Sequence, residues 1–176
     1  MDELTLIRPT MEWAEQIMAY RAEMLANGDA LDGCAGLEDV SDAGEWLDFD
    51  RRLQAKYGED CAPSEVFLGV RTSDGKLVGI LDYRRPLTPP LRRAGGNIGY
   101  SVRPSERRKG YAAQMLALAL EVCRAGGERR VLLTCDRDNE ASRRTILANG
   151  GVLEDEIAGV GDPARPVVQR YWIELT

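Results

Sequence analysis

No histidine occurs anywhere in the 176-residue chain, and that single absence removes a good deal of chemistry. Imidazole is the usual general base and the commonest metal ligand, so serine-histidine catalysis and a typical zinc site are both disfavoured, and no metal is expected. Cysteine is scarce: Cys34, Cys61, Cys123 and Cys135 show neither close pairs nor metal-ligand spacing. Two of them sit inside apolar runs, which reads as buried free thiols in a reducing compartment. The N-terminal MDELTLIRPT is charged, and no apolar run approaches the roughly 18 residues needed to span a bilayer, so the expectation is a soluble cytoplasmic protein without a membrane partner. An excess of basic charge is lacking too. Acidic residues outnumber basic ones 29 to 23, for a net charge of −6, which disfavours nucleic acid as a partner. A GxGxxG fingerprint is absent, and ERRKGYA lacks the glycine four residues before the Gly-Lys-Ser/Thr end of a Walker loop.

What is present is 44% apolar residues over a length near the usual one-domain size, so residues 1–176 read as one domain. LTLIR at 4–8 is a short strand, and Thr10 is placed to cap a helix in which Trp13, Ile17, Tyr20, Met24 and Leu25 recur at helical spacing until Asn27-Gly28. Ser41 is placed to cap a second helix whose Trp46, Phe49, Leu53 and Tyr57 line one face up to Gly58. Two β-like runs flank Asp74-Gly75, a hairpin signal. The proline- and glycine-rich stretch 85–96 is expected to hold no regular structure. A strand NIGYSVR, a helix from about Gly110 to Arg124, a buried strand RRVLLTCD and a helix from Asn139 to Gly150-Gly151 follow, and two more strands close the chain. The order of elements over 97–149 predicts a locally parallel strand pair in an α/β (α+β) fold.

Chemistry concentrates in GYSVRPSERRKGYAAQML at 99–116. A helix N-terminus leaves backbone N–H groups without partners and carries partial positive charge, so it stabilises an anion. Gly110 lets the backbone approach that anion, small Ala112 leaves room beside it, and Arg107, Arg108 and Lys109 add charge at the approach. Ala112, Met115, Leu116, Ala119, Leu120 and Cys123 form the stripe that anchors the helix. This is a phosphate cradle on one reading and a solvated basic turn on the other.

The segment resembles the acyl-CoA-binding motif of the GNAT N-acetyltransferase superfamily: Arg or Gln, two residues, Gly, one residue, Gly or Ala. Here these are Arg107, Arg108-Lys109, Gly110, Tyr111 and Ala112, and Val102 falls five residues before Arg107, at the family's strand-end position. The downstream DRDNEASRRTILANGG is similar to the family's next helix, with Asn139 at its start and Gly150 at its end. IGYSVRPSERRKGYA, VLLTCDRDN and QRYWI together resemble a poorly characterised branch of predicted acetyltransferases, the core match covering about residues 64–157.

The resemblance implies a mixed central sheet of about six to seven strands flanked by about four helices. It implies acetyl-CoA as co-substrate in the wedge between strands 97–103 and 130–135, its diphosphate on the N–H groups from Arg108 to Ala112. Ser101, Val102 and Asn139 would meet the pantetheine arm, and a donor near Val102 would face the oxyanion as an amine attacks directly. The tyrosine that many members carry seven residues after the helix-start Asn is replaced here by Ile146. Ser142 and Tyr100 are then the catalytic candidates, with Asp82 and Glu154 as candidate bases. The acceptor class is an amine, on a small molecule or on a peptide or protein. An acyl-CoA-binding sensor with weak or no catalysis stays open beside the enzyme. Nucleic-acid binding through Arg84, Arg85, Arg92, Arg93 and the Arg107 cluster is disfavoured by the charge balance. Tyr171 and Trp172 could serve a homodimer contact, although core packing is the commoner role of such rings.

Overall fold

Continuous apolar runs such as VFLGV and LVGIL make sense only in strands covered on both faces, and the computed structural model places them so. It describes residues 2–56, 58, 61–160 and 162–176. The runs lie in β2 (Ser64–Arg71) and β3 (Lys76–Arg84), which pair antiparallel around the Asp74-Gly75 turn as expected. On one face Val66, Leu68, Leu77 and Ile80 pack with Ile17, Tyr20 and Met24 of α1 (Ala14–Ala26) and Trp46 of α2 (Ala43–Ala55). On the other, Phe67, Val78 and Leu81 meet Met115, Leu116 and Ala119 of α4 (Tyr111–Ala125), the stripe expected of that helix, with Ala112 half-buried at its start. Full burial of side chains such as Met115 and Leu116 contributes about 1.5–3 kcal/mol each, which anchors α4 to the sheet.

β1 (Leu4–Ile7) and β4 (Ile98–Val102) complete a four-stranded antiparallel sheet in the order β1-β2-β3-β4. β5 (Arg130–Asp136), β6 (Val152–Ile157) and β7 (Val168–Glu174) form a second, antiparallel sheet in the order β5-β7-β6. The parallel pair expected over 97–149 is therefore not realised as a ladder. β4 and β5 touch at one end, where Gly96 bridges Leu133 and the Asn97 N–H donates to the Leu132 carbonyl at 2.7 Å. There the Asn97 side-chain oxygen accepts the Leu132 N–H at 2.8 Å, where a continuing strand would offer a carbonyl, and the pairing stops.

Other local expectations are corrected. Thr10 receives the Trp13 N–H on its carbonyl, not its hydroxyl, in a 3-10 turn (Met11–Trp13) that precedes α1, and Leu25 is exposed. Asp42, not Ser41, caps α2 by accepting the Glu45 N–H at 2.8 Å, while the Glu45 carboxylate accepts the N–H of Ser41, one residue before the cap, a variant of the capping box. α2 ends at Ala55, short of Gly58; Phe49 and Leu53 are only half-buried, and Tyr57 lies outside the described residues. Part of 85–96 is helical: α3 (Pro89–Arg93) starts with Pro89 and Pro90, positions where a missing N–H loses no helix bond. α5 (Glu140–Ala148) follows its predicted Asn139 cap. All four cysteines are free, with Cys61 half-buried and the other three buried. No helix among the described residues is long and apolar enough to cross a membrane.

Candidate active site

A cleft of about 1390 Å3 opens where β4 and β5 part, lined by β4, the 107–113 loop and helix start, the end of β5, the start of α5, and the α1–α2 connection. Register decides which β4 groups face it. The Asn97 carbonyl and Arg103 N–H bond to β3, so between them the backbone groups of Gly99 and Ser101 point that way. Those of Tyr100 and Val102 turn to the opposite, unladdered edge.

At the cleft's α4 end the chain passes Arg108 at φ +61° and Gly110 at φ +79° before the helix begins. None of the N–H groups from Arg108 to Ala113 finds a protein acceptor among the described residues; the next one along, that of Gln114, donates to the Gly110 carbonyl at 3.1 Å. Successive open N–H groups in left-handed and helical conformation make a concave anion receptor, which fits a diphosphate. The cations of the motif divide unexpectedly. Arg107 donates to the Val102 carbonyl at 2.9 Å and to Asp29 at 2.8 Å, and Lys109 is tied to buried Glu106 at 2.8 Å. Arg108 alone has no carboxylate partner among the described residues. Ser101 is likewise committed elsewhere: its backbone faces β3, and its hydroxyl contacts the Asp32 carbonyl at 2.7 Å and the Tyr20 hydroxyl at 2.8 Å. Tyr111 lines the cleft at the start of α4 and buries its ring in the core.

Ser142 and Tyr100, 42 positions apart in sequence, meet in the cleft with their hydroxyls 2.8 Å apart. Asn139 holds the start of α5 by accepting the Ser142 N–H at 3.1 Å, which fixes the serine's position. Burial pushes the Tyr100 hydroxyl up to about 12 despite the opposing Ser142 hydrogen bond, and the Cys135 and Asp32 charges add to the rise. Burial also pushes the neighbouring Cys135 up to about 11, so it stays a thiol. Ile146 is fully buried in the core.

The two carboxylates named from the sequence do not line this cleft. Asp82 is buried and accepts from Gly99, Ser64 and Arg84, and exposed Glu154 pairs at long range with Arg92 and Arg170. Two others do line it. Asp32, on the α1–α2 connection, and Asp136, at the end of β5, carry carboxylates without a hydrogen-bonding or cationic partner among the described residues. The concave wall around Asp32, then the Asp136 charge, raises its pKa above the usual carboxylate range against the pull of Arg84. Its backbone is locked in place: Gly33, at φ +73°, lies so close to β4 that a Cβ there would stand 2.4 Å from the Gly99 carbonyl oxygen. Nothing in the local pattern around Asp32 marks it out, because its placement depends on contacts with a strand more than sixty residues away.

The sequence profile described as the acetyltransferase (GNAT) family matches residues 31–150. No curated protein sequence matches the chain. Among solved structures, Mycobacterium smegmatis RimJ in complex with CoA-disulfide aligns with a TM-score of 0.74 at 20% identity, covering 97% of this chain and 81% of that one. The microcin C7 self-immunity acetyltransferase MccE, in complex with acetyl-CoA and AMP, aligns at 0.69 and 16% identity over 99% and 93% of the two chains. A Salmonella typhimurium acetyltransferase that modifies the N-terminal serine of ribosomal protein L7/L12 aligns at 0.69 and 18% over 98% and 95%. The fold is thus shared along almost the whole length, and with the matched profile it establishes that the chain belongs to the GNAT family of acetyltransferases.

Proposed function

We propose that the chain moves an acetyl group from acetyl-CoA to a primary amine by direct attack in a ternary complex. The observation that carries this reading is the presence in one cleft of an open N–H receptor at Arg108–Ala112 and the paired hydroxyls of Tyr100 and Ser142. The MccE complex with acetyl-CoA supports the choice of co-substrate. When bound, acetyl-CoA supplies the thioester that the amine attacks.

The chain's own groups then have separable tasks. The N–H groups from Arg108 to Ala112 hold the diphosphate, and the unpaired Arg108 guanidinium can add charge to them. The Val102 N–H, on the unladdered edge of β4, donates to the carbonyl oxygen as charge develops there. The Asn139 amide stands at the start of α5 on the same cleft. Tyr100 acts as a hydrogen-bond donor to the departing sulfur. With the Tyr100 hydroxyl at about 12 and an ordinary thiol at about 8.5, full transfer of its proton would run uphill by about 5 kcal/mol, so the donor role fits better than that of an acid. Asp32 takes the proton that an ammonium must lose before attack, and Asp136 beside it favours a cationic acceptor. Two structural neighbours are described as acting on the N-terminal serine of L7/L12 and the alanine of ribosomal protein S5, which supports a peptide N-terminus as an acceptor to test.

The test is thiol release from acetyl-CoA with and without an amine, across small primary amines and short peptides. Amine-dependent release is expected. Binding of acetyl-CoA without release for any amine would leave a binding module and overturn the enzymatic reading.

A further inference from the structure

A cluster of three cations around one buried carboxylate lies behind the 107–110 loop. Glu106 ends the 3-10 turn Pro104–Glu106 and is only 3% exposed. Three cations surround its carboxylate: Lys76 of β3 at 2.6 Å, Arg71 of β2 at 2.8 Å and Lys109 at 2.8 Å. Burial alone would push this carboxyl up, but the three cations outweigh it and hold it down at about 2, so it stays ionised under any working condition. Arg71 does more than neutralise it. The same guanidinium nitrogen reaches the Tyr111 hydroxyl at 3.2 Å, and the other arm grips Asp74 at 2.6 Å in the hairpin turn.

Glu106 precedes the 107–110 loop and Tyr111 follows it, so one arginine of β2 ties both ends of the loop. Between those ends Arg108 adopts φ +61°, which a side chain with a Cβ holds only when its surroundings impose it. We propose that Arg71 and Glu106 are positioning residues for acetyl-CoA: they hold the loop shut behind, keep its N–H groups aimed at the ligand, and turn Lys109 away from it. This rests on reading the loop as the diphosphate site. It assigns the three motif cations different tasks, with Arg108 meeting the ligand, Lys109 facing backward to the clamp and Arg107 bound to Asp29.

Calorimetric and steady-state measurements with acetyl-CoA on the wild type, Glu106→Gln, Lys109→Met and Arg108→Met test this. Glu106→Gln removes the hub and leaves three cations to repel one another, so Kd and KM for acetyl-CoA should rise about tenfold while kcat stays within about twofold, a split that general destabilisation does not produce. Arg108→Met should weaken binding about tenfold as well, and Lys109→Met only about twofold. Wild-type affinity in Glu106→Gln, or a loss in Lys109→Met equal to that in Arg108→Met, would overturn the proposal. Should Glu106→Gln fail to fold, Arg71→Lys replaces it: a cation remains for Glu106 but the link to Tyr111 is lost, and an unchanged Kd would refute the clamp. If the wild type itself binds no acetyl-CoA, the site reading falls and the clamp with it; if the wild type binds and Glu106→Gln binds equally, only the clamp falls.

Discussion

At Tyr100 the balance between burial and hydrogen bonding decides what the side chain can do. A phenol held near 12 keeps its proton throughout the working range, so Tyr100 should give no basic limb to the pH profile below about pH 10. Tyr100→Phe removes the donor while keeping the ring, and kcat should fall about tenfold or more with KM for acetyl-CoA nearly unchanged, as steady-state kinetics would show. Equal turnover would return Tyr100 to a packing role. Asp32 predicts the opposite limb. It must be ionised to accept a proton, so kcat/KM for the amine should rise with pH through a value above the ordinary carboxylate range, and Asp32→Asn should lower the rate and flatten that rise. The same raised pKa means that its ionisation opposes folding as pH rises through that window. Asp32→Asn should therefore melt slightly higher than wild type at neutral pH, a stability gain at the expense of activity. Glu106 has the reverse sign: its carboxyl is depressed, so its contribution is complete above the ordinary glutamate value near 4.3 and is lost as pH falls towards about 2. Acid unfolding of Glu106→Gln should lack that component.

Among the elements, short-range signals were legible and long-range commitments were not. Gly110, the stripe of α4, the Asp74-Gly75 hairpin and the Asn139 cap all follow from neighbours within a few residues, and each can be read from spacing. The partners of Arg107 and Lys109 could not be read in this way. Asp29 lies 78 residues from Arg107, and the hub that captures Lys109 joins Arg71 of β2 to Glu106 across 35 residues, so the run of three cations looked like one patch. Asp32 was invisible for the same reason, whereas α3 was missed because prolines that interrupt a helix interior are harmless at its first turn. The connection carrying Asp32 offers its own test. Gly33→Ala places a Cβ against the Gly99 carbonyl and forces a positive φ on alanine, which should destabilise the protein by about 1–3 kcal/mol and shift the loop off β4. Amine kcat/KM should drop while acetyl-CoA affinity, set on the far side of the cleft, changes little. A parallel loss of both would show that the loop and the cofactor site move as one.

For the whole molecule, the decisive feature is that the seven strands of the described residues divide into sheets of four and three, linked at the Gly96–Leu133 bridge and the adjacent Asn97–Leu132 hydrogen bonds, with no ladder between β4 and β5. The parallel pair expected from the order of elements would have closed this gap and left no cleft. Charge at this scale is also informative. A net −6 chain with unpartnered Asp32 and Asp136 in its cleft should attract cationic amines, so kcat/KM for a polycationic acceptor should fall with added salt more steeply than for a monoamine. Identical salt slopes would remove steering from the account. The claim on which the rest depends is the cradle at Gly110, and calorimetric titration of acetyl-CoA into the wild type and Gly110→Glu tests it most directly. The prediction is a Kd on the order of 10 μM for the wild type and no measurable binding for a folded Gly110→Glu, in which a carboxylate occupies the diphosphate position. A folded wild type that takes up no acetyl-CoA, or a Gly110→Glu variant that binds it equally well, would contradict it.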